Sequence, residues 1–324
     1  MWEDRLCIIH LLTKQGNMKL KSLIDLLKNL HDKTSCREYL EGLRWQGIPK
    51  CPHCNCESVK HYKLKNNGDF NGLYKCRECK RRFTVTIGTM FEGSNVPLAK
   101  WFYAIYVFLS HKKGISSIQL SKDIGVTQKT AWLMLTKIRH NLNDIDVILG
   151  NKFDGEVQID ETYIGGKPKG RIWQNQGRSL KQKIPVVGLL TKDRAYAVVT
   201  PNTNSITLKT IIYSLIKPGS TVVTDGWKGY HGISPEYVHQ VVYHKKGSYK
   251  NKEGFHTNGI EGFWSQLKRG IRSIYHVVSR KYLQFYCYEF SYRYNARHIG
   301  DTEKFTEFIM SSHKRIKYHD LAYT

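Results

Sequence analysis

The chain has 324 residues, enough for two or three domains, and its 40% apolar content is enough to bury real cores, which excludes a disordered chain. Its 51 Lys and Arg against 27 Asp and Glu give a net charge of +24, which points to a polyanionic partner, nucleic acid above all. No stretch reaches the roughly 18 apolar residues of a membrane span, and the start lacks the small-residue cleavage site of a secretory signal.

Met1 and Met18 are both possible starts. Residues 19 to 45 read as two helices. Leu20, Leu23, Ile24, Leu27 and Leu30 form one apolar stripe, and Ser35 caps a second helix carrying Tyr39, Leu40 and Leu43. A helical segment over 1–48 is expected.

Over 49–92 the chain carries Cys51-Pro-His-Cys54 and Cys76-Arg-Glu-Cys79, with 21 residues between the pairs. Four thiolates at this spacing make a tetrahedral zinc site with no position open to water, so the zinc is structural. His53 and Cys56 break the paired spacing and are set aside. Short strands are expected at 58–65, 73–75 and 82–86, which makes a zinc ribbon. Eight lysines and arginines between Lys60 and Arg82 give it a basic surface suited to DNA. Cysteines used this way fit a reducing, cytoplasmic setting.

Three helices are predicted over 95–145. Pro97 opens the first, with Trp101, Ile105 and Phe108 inward, and Gly114 breaks it. Ser116 or Ser117 starts a short second helix. Gly125-Val126 turns the chain, and Thr127 caps a third helix, 128–141, with Ala131, Leu135 and Ile138 inward. Helix, tight glycine turn, helix is the helix-turn-helix pattern. In that pattern Gln128, Lys129 and Thr130 face a major groove, while Lys137, Arg139 and His140 suit phosphates.

Residues 143–152 read as a linker to a domain over 153–300. There we expect strands at 156–164, 185–191, 195–200, 221–225 and 238–243, a helix at 204–216 after the third, and a helix from 257. Three strands, a helix, then a strand is the order of the RNase H-like fold. The loop 165–183 carries Lys167, Lys169 and Arg171, and 244–254 is a second basic loop; both suit a DNA clamp. An aromatic helix at 279–298 offers Arg293 and Arg297, one turn apart, to phosphate. The tail at 301–324 carries no signal. The fold class expected is therefore multi-domain α/β: an RNase H-like catalytic domain preceded by a zinc ribbon and a helix-turn-helix.

Three acids stand out. Asp160 lies in the alternating run Glu156–Asp160, Asp225 ends Thr221-Val-Val-Thr, and Glu261 lies on the helix HTNGIEGFWSQLKRG with Asn258 and Lys268 on the same face. Thr257 can cap that helix and Gly270 can end it. There are 64 residues between the two aspartates and 35 between Asp225 and Glu261. Two strand-borne aspartates and a helix-borne glutamate can converge on divalent cations, and Mg²⁺ prefers hard oxygen ligands. Glu161 points to the opposite strand face.

This arrangement resembles the catalytic signature of DDE transposases and retroviral integrases. The phrases IDETYIGG, TDGWKGY and HTNGIEGFWSQLKRG resemble the zinc-ribbon insertion-sequence transposases of bacteria, relatives of the Merlin elements, from about Cys51 to Arg297. The resemblance implies an RNase H-like catalytic domain in which Asp160, Asp225 and Glu261 hold two Mg²⁺ or Mn²⁺ ions. It implies that Lys268 contacts DNA, with Asn258 and His256 near the metals or the DNA. It also implies recognition of terminal inverted repeats, strand cleavage and strand transfer, a paired-end complex of at least two subunits, and a place at the bacterial nucleoid. Two alternatives share these features: a nuclease of the same fold that cuts without joining, and a transposase-derived DNA-binding regulator.

Overall fold

The computed structural model describes residues 20–143, 151–165, 183–243 and 250–322. It divides into two compact units.

The first unit comprises the described residues from 20 to 141 together with 299–322. Its first helix, α1 (Leu23–Asn29), starts where the Ser22 hydroxyl accepts the Asp25 N–H. Leu26 and Leu30 are its buried face, while Ile24 and Leu27 lie 62% and 48% exposed, so the predicted stripe is rotated. The second helix, α2 (Lys33–Trp45), is capped by Asp32 and not by Ser35: the Asp32 carboxylate accepts the N–H groups of Thr34 and Ser35. Asp32 stands three residues before Ser35, and its carboxylate accepts two free N–H groups of the first turn at once.

The ribbon is a three-stranded antiparallel sheet, β1 (Tyr62–Asn66), β2 (Asp69–Lys75) and β3 (Arg82–Phe83). Its apolar floor is aromatic: Trp45 meets Tyr74 edge-on at 5.4 Å, and Tyr74 stacks on Phe83 at 5.4 Å. Three helices follow, α3 (Leu98–Ser110), α4 (Ser117–Ile124) and α5 (Gln128–Asn141). Ser116 caps α4, Gly125 takes the left-handed conformation (φ 59°), and the Thr127 hydroxyl accepts the Thr130 N–H. Ala131, Leu135 and Ile138 are buried as expected.

The segment after residue 300 is not an idle tail. It forms α9 (Asp301–Ser311), which belongs to this first unit. Phe305 packs edge-on to Phe102 at 5.7 Å and stacks with Tyr39 at 6.2 Å. Its apolar spacing is too short to announce a partner in sequence.

The second unit, 142–298 in the main, is built on a five-stranded sheet. The strands are β4 (Glu156–Gly165), β5 (Lys183–Leu190), β6 (Ala195–Val199), β7 (Thr221–Asp225) and β8 (Val238–Val242). Their order is β6-β5-β4-β7-β8; β4 to β6 are antiparallel neighbours, and β7 and β8 run parallel to β4. That is the RNase H-like sheet. The crossover to β7 is α6 (Ser205–Leu215), which packs Leu208 and Ile212 on Val157, Ile159 and Val187 of one face. The other face, with Ile164, Val186 and Ala197, is covered by α7 (Asn258–Gly270) and α8 (Leu283–Asn295). Alternate strand residues thus serve two cores.

Candidate zinc site and acidic centre

In the ribbon the four predicted thiols meet. The ligand atoms of Cys51, Cys54, Cys76 and Cys79 lie within 4.8 Å of one another. Cys51 and Cys79 sulfurs are 3.7 Å apart, and those of Cys54 and Cys76 3.6 Å. A tetrahedral zinc with bonds of about 2.3 Å sets sulfurs roughly 3.8 Å apart, so the cage fits that ion and the structural zinc assigned to it. The Arg81 backbone N–H draws the Cys79 thiol down to about 6, while burial pushes the Cys51 thiol up to about 12, so Cys79 is the thiol readiest to give zinc a thiolate.

The cage has a support that the CxxC spacing does not reveal. His61 is buried, with its Nδ1 accepting the Arg77 N–H at 3.2 Å and its Nε2 against the Cys56 carbonyl at 3.2 Å. Cys56, His61 and Cys76 also cluster within ligand distance. Both ring nitrogens of His61 are engaged, so the ring braces the two knuckles.

The acidic centre is assembled from remote segments. Gln158 of β4 pairs with Val223 of β7 in parallel register. Two residues on, Asp160 comes level with Asp225, and both side chains leave the same sheet face. Burial first, and then the charges of Glu161 and Asp225, raise the Asp160 carboxyl to about 7. Asp225 turns its Oδ1 to accept the Trp227 N–H at 2.9 Å. Glu161 points to the other face, as expected, where the buried Tyr230 hydroxyl donates to it at 2.8 Å.

Helix α7 docks on this pair through residues the sequence did not single out. The Trp264 indole N–H donates to Asp160 Oδ2 at 2.9 Å. Gly188 of β5 is the cross-strand partner of Asp160, and a Cβ there would come 2.5 Å from the Trp264 ring, so the glycine makes room for the indole. Gln158, two residues before Asp160, accepts the Ile260 N–H at 3.1 Å and meets His256 Nδ1 at 3.4 Å. The start of α7 is therefore capped from the strand and not by Thr257, whose hydroxyl donates to Glu261 at 3.3 Å. The α-helix ends at Gly270, as expected, but not through a left-handed glycine cap: Gly270 keeps helical angles, the chain passes into a π-turn, Ile271–Tyr275, and the missing side chain admits the Phe290 ring.

Asn258 and Glu261 lie exposed on the first turn of α7. Glu261 is one turn before Trp264, and Lys268 is one turn after it. Lys268 is half-buried; burial lowers its pKa and the Asp160 charge raises it. Among the described residues, only the two ribbon clusters bring three ligand atoms mutually within 4.8 Å. Asp160, Asp225 and Glu261 do not form one such group. The donor set still suits Mg²⁺: hard oxygens, with two like charges crowded on neighbouring strands, an arrangement that a divalent ion relieves.

The other predicted contacts divide. Gln128 and Lys129 are exposed at the start of α5, where Gln128 donates to the Ser117 hydroxyl at 2.8 Å, and Thr130 is half-buried there. Lys137 is half-buried, and burial lowers its pKa. Arg139 is only 1% exposed and lies over the Phe108 ring at 5.6 Å, so it cannot reach a phosphate; it falls one turn after Leu135, on the core face. Arg293 is likewise committed, donating to the buried Glu289 at 2.7 Å with its side chain 9% exposed. Arg297 stacks on Tyr294 at 4.1 Å and grips the β5–β6 turn through the Lys192 carbonyl at 2.5 Å. Lys167, Lys169 and Arg171 lie outside the described residues.

Residues 152–295 match the ISXO2-like transposase domain, and residues 31–82 match the transposase zinc-ribbon domain. The chain belongs to this family of insertion-sequence transposases. A protein of the transposable element ISH50 from Halobacterium salinarum is 28% identical over 284 residues, 82% of this chain and 92% of that one. A transposase-like protein of Haemophilus influenzae is 31% identical over 109 residues, 33% of this chain and 86% of its own length. Among solved structures, the Mos1 strand transfer complex is matched at 11% identity and TM-score 0.22, over 62% of this chain and 77% of that one. A pre-cleavage Mos1 transpososome gives 11% identity and 0.23, over 66% and 79%. Both scores are too low to bear on the fold, which rests on the sheet order. As a member of this family the transposase acts on DNA. No described helix is long and apolar enough to cross a membrane.

Proposed function

We propose that this transposase binds the terminal inverted repeats of its element and cuts and joins DNA strands with two Mg²⁺ ions held by Asp160, Asp225 and Glu261. The observation that carries the reading is the parallel register of Gln158 with Val223, which sets Asp160 level with Asp225 and within reach of its charge, together with the hydrogen bond that ties Asp160 to the helix bearing Glu261 and Lys268. Bound there, the ions supply Lewis acidity to the attacking and leaving oxygens of the phosphodiester. Trp264 fixes one Asp160 oxygen by hydrogen bonding, which leaves the other for a metal ion. Lys268 binds the DNA backbone beside the reacting phosphate, and burial on one flank keeps its ammonium close to Asp160. Glu261 closes the centre from the helix side; Asn258, one turn earlier, positions DNA.

Recognition falls to the first unit. Gln128, Lys129 and Thr130 open a helix after a left-handed glycine turn, the geometry by which a recognition helix enters a major groove. The basic ribbon adds phosphate contacts. Arg139 and Arg293 take no part, and Lys137 and Arg297 act at most on the rim. Two element ends call for at least two subunits, working at the nucleoid.

The test uses the full chain, Mg²⁺ and a duplex carrying one element end, taken from the DNA flanking the reading frame. Cutting followed by joining is expected, with Asp225→Ala abolishing both while leaving binding intact. Cutting without joining identifies a nuclease, binding alone identifies a regulator, and an active Asp225→Ala removes Asp225 from the centre.

A further inference from the structure

Past Lys268 the chain does something unusual for a helix end. It winds through the π-turn Ile271–Tyr275 and then reverses at His276, which sits at φ 58°, ψ −57°. The Val277 N–H donates to the Tyr275 carbonyl at 2.7 Å, which closes a γ-turn of the rarer, positive-φ form. A non-glycine residue held there is strained, and such strain collects at ligand clamps and switches; π-turns collect at functional sites in the same way.

This turn walls a small cavity of about 70 Å³. Ile164 and Gly165, at the end of β4, and Ile271 line it, together with three basic side chains, Lys268, Arg272 and His276. None of the described residues lining it is acidic. Lys183 and Arg272 both approach Lys268 closely enough to lower its pKa, with Asp160 the acid acting against them. Cations gathered around a hollow repel one another unless an anion sits between them. The hollow has room for one tetrahedral anion and not for a nucleobase.

We propose that this cavity is a second phosphate subsite, which takes a backbone phosphate of the strand being cut and holds it through Arg272 and His276. The assignment rests on the reading of Asp160 as a metal-holding acid. Trp264 marks Asp160 on the helix; Arg272 lies two turns further, about 12 Å along the axis. Each step of about 3.4 Å of rise comes with a rotation about the duplex axis, so successive phosphates of one strand lie roughly 7 Å apart, and the subsite holds the phosphate about two nucleotides from the reacting one. Lys268 stands between the two. The strained turn fixes the spacing, so the DNA end is set in register before chemistry.

The experiment replaces single phosphates of the element-end duplex by neutral methylphosphonates, one position at a time, and measures both cleavage and binding by the full-length protein. For the wild type, neutralising one phosphate about two nucleotides from the cut slows cleavage about tenfold, the loss of one charge-assisted bond. Arg272→Gln loses about tenfold on the unmodified duplex and loses nothing further at that phosphate, while Arg272→Lys recovers part of the rate. His276→Gly relieves the strained φ, keeps the melting temperature, and behaves like Arg272→Gln in the same cycle. Losses that add, or variants that cleave like the wild type, overturn the subsite. If Asp225→Ala cleaves normally, it is the catalytic reading that falls, and the same cycle read in binding affinity then decides the subsite.

Discussion

The transposase holds two candidate metal centres built by opposite strategies. In the ribbon, four thiols come from two short knuckles and already stand at zinc spacing, with the His61 ring locked between them. In the second unit, carboxylates from β4, β7 and α7 are gathered across about 100 residues of chain, and the described geometry brings only two of them together on neighbouring strands. The first centre is closed and its ion completes a fold. The second is open, which is what a site needs when substrate oxygens must join the coordination shell. Closed sites can be judged on ligand distances alone; open ones need the ion and the DNA to be complete.

Removing the ions separates the two most sharply. Stripping zinc, or Cys76→Ser, is expected to unfold the ribbon, since structural zinc contributes on the order of 10 kcal/mol to such a fold; loss of near-ultraviolet dichroism from Trp45 and Tyr74 checks it. Withholding Mg²⁺ is expected to leave that signal unchanged. Next in size, Glu261→Ala should slow cleavage on the order of a thousandfold, as loss of a transition-state stabiliser does, whereas Asn258→Ala should cost about tenfold or less. Equal losses would make Asn258 the third ligand. Smaller again, Trp264→Phe keeps the ring in the Gly188 cradle but frees Asp160 Oδ2. Single-turnover rates at saturating DNA should fall by about tenfold, the value of one hydrogen bond to a charged group, with binding unchanged.

The mildest effect is on stability. The folded-state pKa of Asp160 is raised from 3.8 to about 7, so its contribution to stability is full below pH 4 and is lost as pH rises through 7. In Mg²⁺-free buffer the wild type should therefore melt progressively lower from pH 5 to pH 8, and Asp160→Asn should show a flatter profile and a higher melting temperature at pH 8. Added Mg²⁺ should raise the wild-type value and leave the variant unmoved. A wild-type profile that is flat between pH 5 and pH 8 would show that Asp160 is not crowded.

Much of this was legible in the sequence because it is local. The CxxC pairs, the helix start at Ser116 or Ser117, the Thr127 cap, the turn at Gly125 and the strands β4 and β7 each report on neighbours a few residues away. The sheet order followed from the order of elements. What escaped was tertiary. Gln158 and Gly188 look like ordinary strand residues until α7 lies across them. Arg139 and Arg293 carry the same charge as a phosphate contact would, and only the packing of Phe108 and Glu289 shows them turned inward. The helix α9 was unreadable because its partners, Phe102 and Tyr39, lie more than 200 residues earlier.

The most direct measurement counts bound Mn²⁺ by electron paramagnetic resonance on zinc-loaded protein with an element-end duplex present. The wild type is expected to take up two ions beyond the zinc. Asp160→Ala, Asp225→Ala and Glu261→Ala should each lose at least one of them, while Asn258→Ala keeps both. Full Mn²⁺ occupancy in any of the three acid variants would contradict a centre shared by all three carboxylates.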